Sequence, residues 1–150
     1  MKFTSAAVSA LTLALALLPS LTSAVTLQYD NNYDDKSFSL SNVACSDGPD
    51  GLMTRFGWQT IGDIPAYPNI GAVDAIAGWG SSACGSCWQL TYVDENGISH
   101  TENILGIDHA GSGFMNVAQQ TMDELTDGNA VFFGHVDVQI TQVDASACGI

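Results

Sequence analysis

The chain has 150 residues, of which 46% are hydrophobic, enough to form the core of one ordinary domain. Sixteen Asp and Glu residues oppose three Lys and Arg residues, which gives a formal net charge of −13 at pH 7. Because phosphate backbones and anionic membranes bind through cationic side chains, this charge excludes nucleic acids, nucleotides and membrane surfaces as main partners and leaves neutral ligands, cationic ligands and protein receptors.

The first 24 residues have the pattern of a secretory signal peptide. Lys2 supplies a positive charge, an apolar stretch of 13 residues runs from Ala6 to Leu18, and small residues precede a cleavage position after Ala24. The apolar stretch is shorter than the roughly 18–20 residues that span a bilayer. We therefore expect residues 1–24 to be removed and one secreted domain to remain over residues 25–150, with two cations against 16 acids and a net charge of −14.

The first predicted elements of the mature chain are short strands and turns. Alternation of apolar and polar side chains predicts an opening strand over Val25–Tyr29. Glycines and prolines around Thr54–Trp58 and Ile61–Ile64 indicate short strands joined by turns. A weaker pattern predicts a helix over Val73–Ala77.

A β-hairpin is predicted in the middle of the chain. Trp88–Val93 is rich in β-prone residues, and the segment Asp94-Glu95-Asn96-Gly97 follows it. The Asn-Gly pair tolerates the positive φ angles of a tight turn. Ile98–Ile107 is then the returning strand.

The clearest helical pattern covers Asn116–Asp127. Asn116 is its predicted N-cap, with Gln119 three residues later as in a capping box, and Gly128 is its predicted end. Val131–Val143 alternates and predicts a long final strand with a bulge at Gly134. Because most of the domain is short strands with many glycines, a mainly β, closed barrel fits the pattern.

Four cysteines lie in the mature part: Cys45, Cys84, Cys87 and Cys148. In an oxidising compartment an even number of cysteines indicates disulfides, and the spacing leaves all three pairings open. The segment from Cys84 to Cys87 is a CxxC motif, which inside a cell would suggest a redox or zinc site. No second Cys/His pair has the spacing of metal ligands, so we predict neither a metal nor a cofactor.

Five stretches, in this order, resemble the cerato-platanin family of small secreted fungal proteins. They are Cys45-Ser46-Asp47-Gly48, Ala77-Gly78-Trp79, the run CGSCWQLTY from Cys84 to Tyr92, Ile107-Asp108-His109-Ala110-Gly111, and the ending Cys148-Gly149-Ile150. The resemblance covers essentially the whole mature chain. It implies a six-stranded double-psi β-barrel with two or three short helices, related to the first domain of expansins. It also implies two disulfides, Cys45–Cys84 and Cys87–Cys148.

The resemblance further implies a function without catalysis. Members bind chitin-type oligomers of N-acetylglucosamine, some loosen cellulose or other glucans as expansins do, and members elicit plant defence, which makes a plant receptor a candidate partner. An extracellular or fungal cell-wall location follows from it, and the charge of −14 favours a monomer at neutral pH. The hairpin over Val93–Glu102 is longer and more acidic than expected for the family.

Asp108 is the first candidate for contacting a sugar. It closes an apolar strand and precedes the flexible run Gly111-Ser112-Gly113. A carboxylate in this position can accept hydrogen bonds from sugar hydroxyls or an amide, or it can cap the loop. The matching Asp of expansin-like domains belongs to the polysaccharide groove, which favours the binding role.

The further candidates for ligand binding are Asp74, His109, Trp79, Tyr33 and Asn116. Asp74 can bond the ligand or order its own segment, and His109 can orient Asp108. Trp79, in a Gly-bounded loop, can stack on a sugar ring. Tyr33 can flank a groove or cover the end of the barrel, and Asn116 can cap the helix and bind nothing.

Two alternative functions stay open. A weak glycoside hydrolase would need Asp108 and a second carboxyl such as Asp74 on opposite sides of the scissile bond, and the sequence does not supply their separation. The protein could also be a surface-active elicitor for which sugar binding is incidental. A serine hydrolase is disfavoured because no GxSxG motif is present.

Overall fold

A computed structural model describes residues 23–150, which form a closed barrel of six strands. The strands are β1 (Ser23–Tyr29), β2 (Ile70–Val73), β3 (Cys87–Val93), β4 (Ser99–His109), β5 (Phe114–Val117) and β6 (His135–Val143). Their order around the barrel is β1-β5-β2-β4-β3-β6, with β6 pairing back to β1. The pairs β1–β5 and β2–β4 are parallel and the others are antiparallel. The barrel implied by the family resemblance is confirmed; apart from Ser23 and Ala24 in β1, the predicted signal peptide lies outside the described residues.

Where β1 and β6 pair, the apolar side chains of their predicted alternation point into the interior of the barrel. Val25 and Leu27 are buried in β1, and their antiparallel partners in β6, Val138 and Val136, are buried as well. Burying a side chain of this size stabilises the fold by about 1.5–3 kcal/mol. The predicted opening strand is therefore confirmed.

The predicted hairpin is also confirmed, as β3 and β4. One oxygen of Asp94, Oδ1, accepts hydrogen bonds from the backbone N–H groups of Asn96, at 2.9 Å, and Ile98, at 2.8 Å. Gly97 has φ +79°, a conformation that favours glycine. The side chain of Asp94, the first residue of the turn, therefore stabilises the turn by these hydrogen bonds.

The helix predicted over Val73–Ala77 is wrong. Val73 is instead the last residue of β2 (Ile70–Val73), and a turn at Asp74 and Ala75 follows it. Strand β2 lies between β4 and β5, and all four of its residues are buried. A strand buried on both faces shows no alternation, so the pattern gave no strand signal. Gly71 is required there because a Cβ atom would collide with the backbone carbonyl of Asn116 in β5.

The helix predicted over Asn116–Asp127 is confirmed only in its later part, as α2 (Gln119–Leu125). Asn116 is not its N-cap, because it lies in β5 and pairs with Ala72. The side chain of Asp34, distant in sequence, accepts hydrogen bonds from the backbone N–H groups of Gln119, at 2.9 Å, and Gln120, at 3.1 Å. Val117, Thr121, Met122 and Leu125, which recur at helical spacing, are all buried.

Two predicted strands are replaced by short helices. Thr54–Trp58 overlaps α1 (Leu52–Phe56), which ends at Gly57 with φ +79°, and Ile61–Asp63 is a single 3₁₀ turn. The final strand starts at His135, because the residues before it form α3 (Ala130–Phe133).

Gly134 is not a bulge: it ends α3 with φ +68°. The start of α3 is held by Asp123, whose Oδ1 accepts a hydrogen bond of 2.9 Å from the N–H of Ala130. This tertiary contact outweighs the strand preference of the β-branched and aromatic residues in the helix.

Two disulfides join Cys45 to Cys84 and Cys87 to Cys148, which confirms the implied pairing. They tie segments 39 and 61 residues apart to the two ends of the CxxC motif. With all four cysteines bonded, the motif is structural in this protein. Between residues 23 and 150 no helix has the length and apolar character needed to cross a membrane.

Candidate functional site

Asp108 lies at the end of β4, where the parallel pairing with β2 is shifted by one residue. Gly71 pairs with Gly106, whereas the next residue, Ala72, pairs with Asp108. The extra residue, Ile107, re-aims the end of the strand, as bulges do near functional sites. It brings the carboxylate of Asp108 beside the loops that follow β1.

Both carboxylate oxygens of Asp108 accept hydrogen bonds from the protein. Oδ2 accepts from the hydroxyl of Tyr33 at 3.0 Å, and Oδ1 accepts from the backbone N–H groups of Ala44 and His109 at 2.8 Å each. Asp108 therefore joins three segments of the chain, and its direct contact with a ligand stays a prediction.

Tyr33 lies almost completely inside the structure, with 4% of its surface exposed. Burial first, and then the negative charge of Asp108, raise the pKa of its hydroxyl well above the usual value. The hydroxyl therefore stays protonated and donates to Asp108. Its two predicted roles, flanking a groove and covering the end of the barrel, stay predictions.

His109 and Asp74 hold the loop that follows β2. The ring Nδ1 of His109 is within hydrogen-bond distance of the backbone carbonyl of Ile76. Oδ2 of Asp74 accepts from the N–H of Gly113 at 3.2 Å. The predicted role of Asp74 in ordering its own segment is consistent with this contact, and the predicted link between His109 and Asp108 runs through the backbone of His109.

Trp79 is a strongly exposed aromatic residue, with 67% of its surface accessible. Its indole Nε1 donates a 2.7 Å hydrogen bond to Oδ1 of Asp47, and its ring lies against Gly48, where an added Cβ atom would be 3.1 Å from Cζ2. Gly78 and Gly80 on either side have positive φ angles. The ring is therefore exposed to solvent and fixed in orientation.

The loop of Trp79 is connected to Asp108 through short steps. Asp108 accepts a hydrogen bond from the N–H of Ala44. The residue after Ala44 is Cys45, whose N–H donates to the carbonyl of Ile107 at 3.1 Å. Cys45 is also joined to Cys84 by a disulfide. Asp47 then holds Trp79. Because these contacts are consecutive, the carboxylate of Asp108 positions the segment on which the indole is fixed.

Asn116 reaches the same region from the neighbouring strand. Ala72 in β2 pairs with Asp108 on one side and with Asn116 on the other, and Asn116 pairs in turn with Gln28 of β1. Adjacent strands are about 4.8 Å apart, so these polar residues stand in a row across the sheet. The structure thus links Tyr33 and His109 to Asp108 by hydrogen bonds and places Asn116 two strands away from it, whereas Asp74 and Trp79 lie in the segment between β2 and β3.

The sequence prediction missed Asp47 and Gln28. Asp47 lies in the stretch Cys45-Ser46-Asp47-Gly48 that carried the family resemblance, which was the available signal. Gln28 is an exposed polar position in an alternating strand, and only the pairing with Asn116 assigns it to this region.

Comparisons with known proteins agree with this architecture. The cerato-platanin family model matches residues 25–150. The heat-stable 19 kDa antigen of Coccidioides immitis is 40% identical over 152 residues, covering 100% of this chain and 99% of the relative. The crystal structure of cerato-platanin 2 from M. perniciosa is similar with a TM-score of 0.79 and 48% identity, over 85% of this chain and 100% of that one. The solution structure of the fungal elicitor Cerato-Platanin has a TM-score of 0.70 and 38% identity, over 83% of this chain and 96% of that one.

Proposed function

This chain belongs to the cerato-platanin family, and on that premise we propose that it is a secreted, non-catalytic protein that binds neutral polysaccharides containing N-acetylglucosamine, such as chitin oligomers. Secretion is supported by two disulfides, which persist in oxidising compartments, and by the signal-peptide pattern of residues 1–24.

The observation that carries the proposal is the fixed, exposed ring of Trp79. The apolar C–H face of a pyranose packs on an aromatic face, and little entropy is lost when the ring is already held. The contacts with Asp47 and Gly48 hold it in this way. Gln28 and Asn116, which pair across β1 and β5, supply polar groups for hydroxyl and acetamido groups.

In this proposal Asp108 is chiefly a positioning residue. Its three hydrogen bonds hold the side-chain hydroxyl of Tyr33 and the backbone at Ala44 and His109 rather than leaving its oxygens free. A glycosidase acid must present a proton to the glycosidic oxygen, whereas both oxygens of Asp108 are acceptors within the protein. The hydrolase alternative is therefore disfavoured.

Binding to an open surface gives modest affinity, since little of the ligand is buried. Such binding acts on a wall polymer by competing for its inter-chain hydrogen bonds without breaking a covalent bond. This is how we infer an expansin-like loosening of chitin or glucan would proceed.

The test is a titration of the secreted protein with the hexamer of N-acetylglucosamine, followed by amide NMR shifts. Trp79→Ala is expected to weaken binding about tenfold, the loss of one stacked ring. Phe132→Ala is the matched control, because Phe132 is 84% exposed but lies on α3. Equal affinity of Trp79→Ala and wild type would contradict the proposal.

Asp108→Asn separates positioning from direct contact. Asparagine keeps an acceptor oxygen for the backbone N–H groups of Ala44 and His109, so we expect a loss in affinity smaller than that of Trp79→Ala. New reducing ends that accumulate with wild type and vanish in Asp108→Asn would instead establish a hydrolase.

An elicitor function is a second candidate. It is supported by the similarity to the solution structure of a fungal elicitor, which covers 83% of this chain. If sugar binding is incidental to elicitation, Trp79→Ala will evoke an undiminished plant defence response. A response that falls in proportion to hexamer affinity would link the two activities.

A further inference from the structure

The tip of the β3–β4 hairpin and the loop between α2 and α3 enclose a cleft of about 410 Å³, called here the hairpin cleft. Its lining includes Tyr92, Asp94, Glu95 and Ile98 of the hairpin, and Asp127 and Phe133 of the opposite wall. The sequence already marked this hairpin as longer and more acidic than the family pattern, and the glycan site does not use it.

One part of the hairpin cleft is apolar and exposed. Ile98 is 57% exposed and Phe133 is 39% exposed. The apolar surface continues beyond the cleft along α3, where Val131 and Phe132 are exposed and the rings of Phe132 and Phe133 touch at a centroid distance of 5.4 Å. Adjacent exposed apolar groups of this size indicate a contact surface.

The rest of the hairpin cleft is acidic, and no lysine or arginine is among its lining residues. Asp94, Glu95 and Asp127 contribute three carboxylates. Of the two Lys and Arg residues within 23–150, Lys36 lies over the ring of Tyr67 and Arg55 donates to the carbonyl of Cys84. Nε2 of His100 lies 3.7 Å from Oδ2 of Asp94. The carboxylates of Glu95 and Asp127 have no lysine or arginine partner within residues 23–150.

The hairpin cleft is separate from the proposed glycan site. Ser99 and Asp108 are at opposite ends of β4. At about 3.3 Å per residue these ends are about 30 Å apart. Any ligand of the cleft is therefore recognised independently of Trp79.

We propose that the hairpin cleft binds a segment of a basic polypeptide that carries an apolar side chain between lysines or arginines. The apolar side chain packs on Ile98 and Phe133, and the flanking cations pair with Glu95, Asp127 and the side of Asp94. Charge complementarity selects this partner, because an acidic or neutral segment would leave the carboxylates of Glu95 and Asp127 beside its own surface without a counter-charge.

The probe is a capped peptide of sequence Lys-Lys-Phe-Leu-Lys-Lys, titrated into the secreted protein at low salt and pH 7 and followed by amide NMR shifts. Saturable shifts at the hairpin tip and α3 are expected, with a dissociation constant below about 1 mM. Replacing Phe-Leu by Ser-Ser is expected to weaken binding about tenfold. Replacing the lysines by glutamates is expected to abolish it.

Protein variants identify the surface that the peptide uses. Ile98→Ser is expected to weaken binding about tenfold, and Glu95→Gln combined with Asp127→Asn about fivefold. Asparagine suits position 127, where the backbone has φ +53°. The matched control is Asp35→Asn combined with Asp50→Asn, which makes the same change in net charge at residues that do not line the hairpin cleft.

Three results would overturn the proposal: no saturable binding up to about 1 mM peptide, equal weakening by the control pair, or equal affinity of the Ser-Ser peptide. Either of the last two results would show that the peptide binds only through its attraction to the net negative charge of the protein. The glycan proposal is tested with the N-acetylglucosamine hexamer and Trp79→Ala, whereas the cleft proposal is tested with the basic peptide and Ile98→Ser. Either proposal can therefore fail without affecting the other.

Discussion

At the scale of single residues, the contact between Tyr33 and Asp108 links the start of the chain to the end of β4. The two residues are 75 positions apart, and Asp108 also holds Ala44, 64 positions away. Removing the carboxylate would leave a buried hydroxyl and two backbone N–H groups without this acceptor. Asp108→Ala is therefore a poor probe of ligand binding, because it alters the loops that carry Trp79.

Replacing Tyr33 by phenylalanine is expected to change the alkaline stability of the protein. Since burial raises the pKa of Tyr33 in the folded state, only the unfolded chain loses this proton above about pH 10. The free energy of unfolding of wild type then falls by an extra ~1.4 kcal/mol per pH unit, and Tyr33→Phe removes that slope.

At pH 8 the same substitution costs about 2 kcal/mol, because a hydrogen bond to a carboxylate is lost. Urea denaturation of both proteins from pH 8 to pH 11 measures the difference, which should narrow as pH rises. Tyr67, whose pKa is raised by burial and then by Asp34 and Asp35, is present in both proteins and cancels. Parallel stability curves across this range would show that Tyr33 is not shielded in the folded state.

At the scale of secondary structure, α2 depends on a carboxylate from outside its own segment. Asp34 follows Tyr33 in the loop after β1 and accepts from the first two N–H groups of the helix, which would otherwise lack partners. A negative charge there also suits the helix dipole. The helix and the loop that positions Asp108 therefore stabilise each other.

Asp34→Ala is accordingly expected to lower the free energy of unfolding by about 1–2 kcal/mol. Asn116→Ala is the matched comparison, with an expected cost below about 0.5 kcal/mol, since Asn116 does not cap the helix. Thermal or urea unfolding of the two variants measures both values. A larger loss of unfolding free energy for Asn116→Ala than for Asp34→Ala would support the N-cap at Asn116 that the sequence predicted.

The strands that could be predicted from the sequence are those with one buried face. The alternation of β1 and the Asn-Gly turn between β3 and β4 are local signals, and each was confirmed. By contrast, β2 is buried on both faces, and β5 has four residues. The helix α3 was misread because its start depends on Asp123, seven residues away.

The candidate site was predictable by residue type but not by geometry. Asp108 and Trp79 were identified from motif stretches and from their glycine neighbours. The pairing of Trp79 with Asp47, 32 residues away, depends on how two loops pack. No local pattern in the sequence encodes a contact between distant loops. The hydrogen bonds that Asp108 accepts from Tyr33 and Ala44 are of the same kind, so its proposed positioning role could be inferred only from the structure.

The two disulfides are expected to stabilise the fold to a similar extent but to affect Trp79 differently. Replacing either pair of cysteines by serine should lower the free energy of unfolding by about 2–5 kcal/mol. Loss of Cys45–Cys84 should also raise the acrylamide quenching of Trp79, because that bond joins the segment of Asp47 to the segment that carries Trp79. The Cys87–Cys148 variant is the control, and equal quenching in both would contradict this assignment.

At the scale of the whole molecule, charge and exposed apolar surface act against each other. Residues 25–150 carry 16 acids against two cations, whereas Ile98, Val131 and Phe132 are exposed on one side. At neutral pH repulsion between copies keeps such surfaces apart. Near pH 4 many carboxylates are protonated and this repulsion weakens.

We therefore expect the protein to be monomeric at pH 7 and to associate as the pH approaches 4. Static light scattering at both pH values measures the change. Phe132→Ser, which removes the most exposed ring of the patch, should reduce scattering at pH 4 and leave it unchanged at pH 7. Identical scattering at the two pH values would show that charge does not control association.

The arrangement of the two disulfides also determines what a protease can do to this protein. One bond closes residues 45–84 and the other closes residues 87–148, so a single cut inside either loop leaves its two fragments covalently joined. Between residues 45 and 148, a cut separates the fragments only within Cys84-Gly85-Ser86-Cys87. That segment is shielded, because Gly85 is buried and the N–H of Gly85 and the carbonyl of Ser86 both pair with Gly106. A molecule that is cut once inside either disulfide loop therefore stays in one piece.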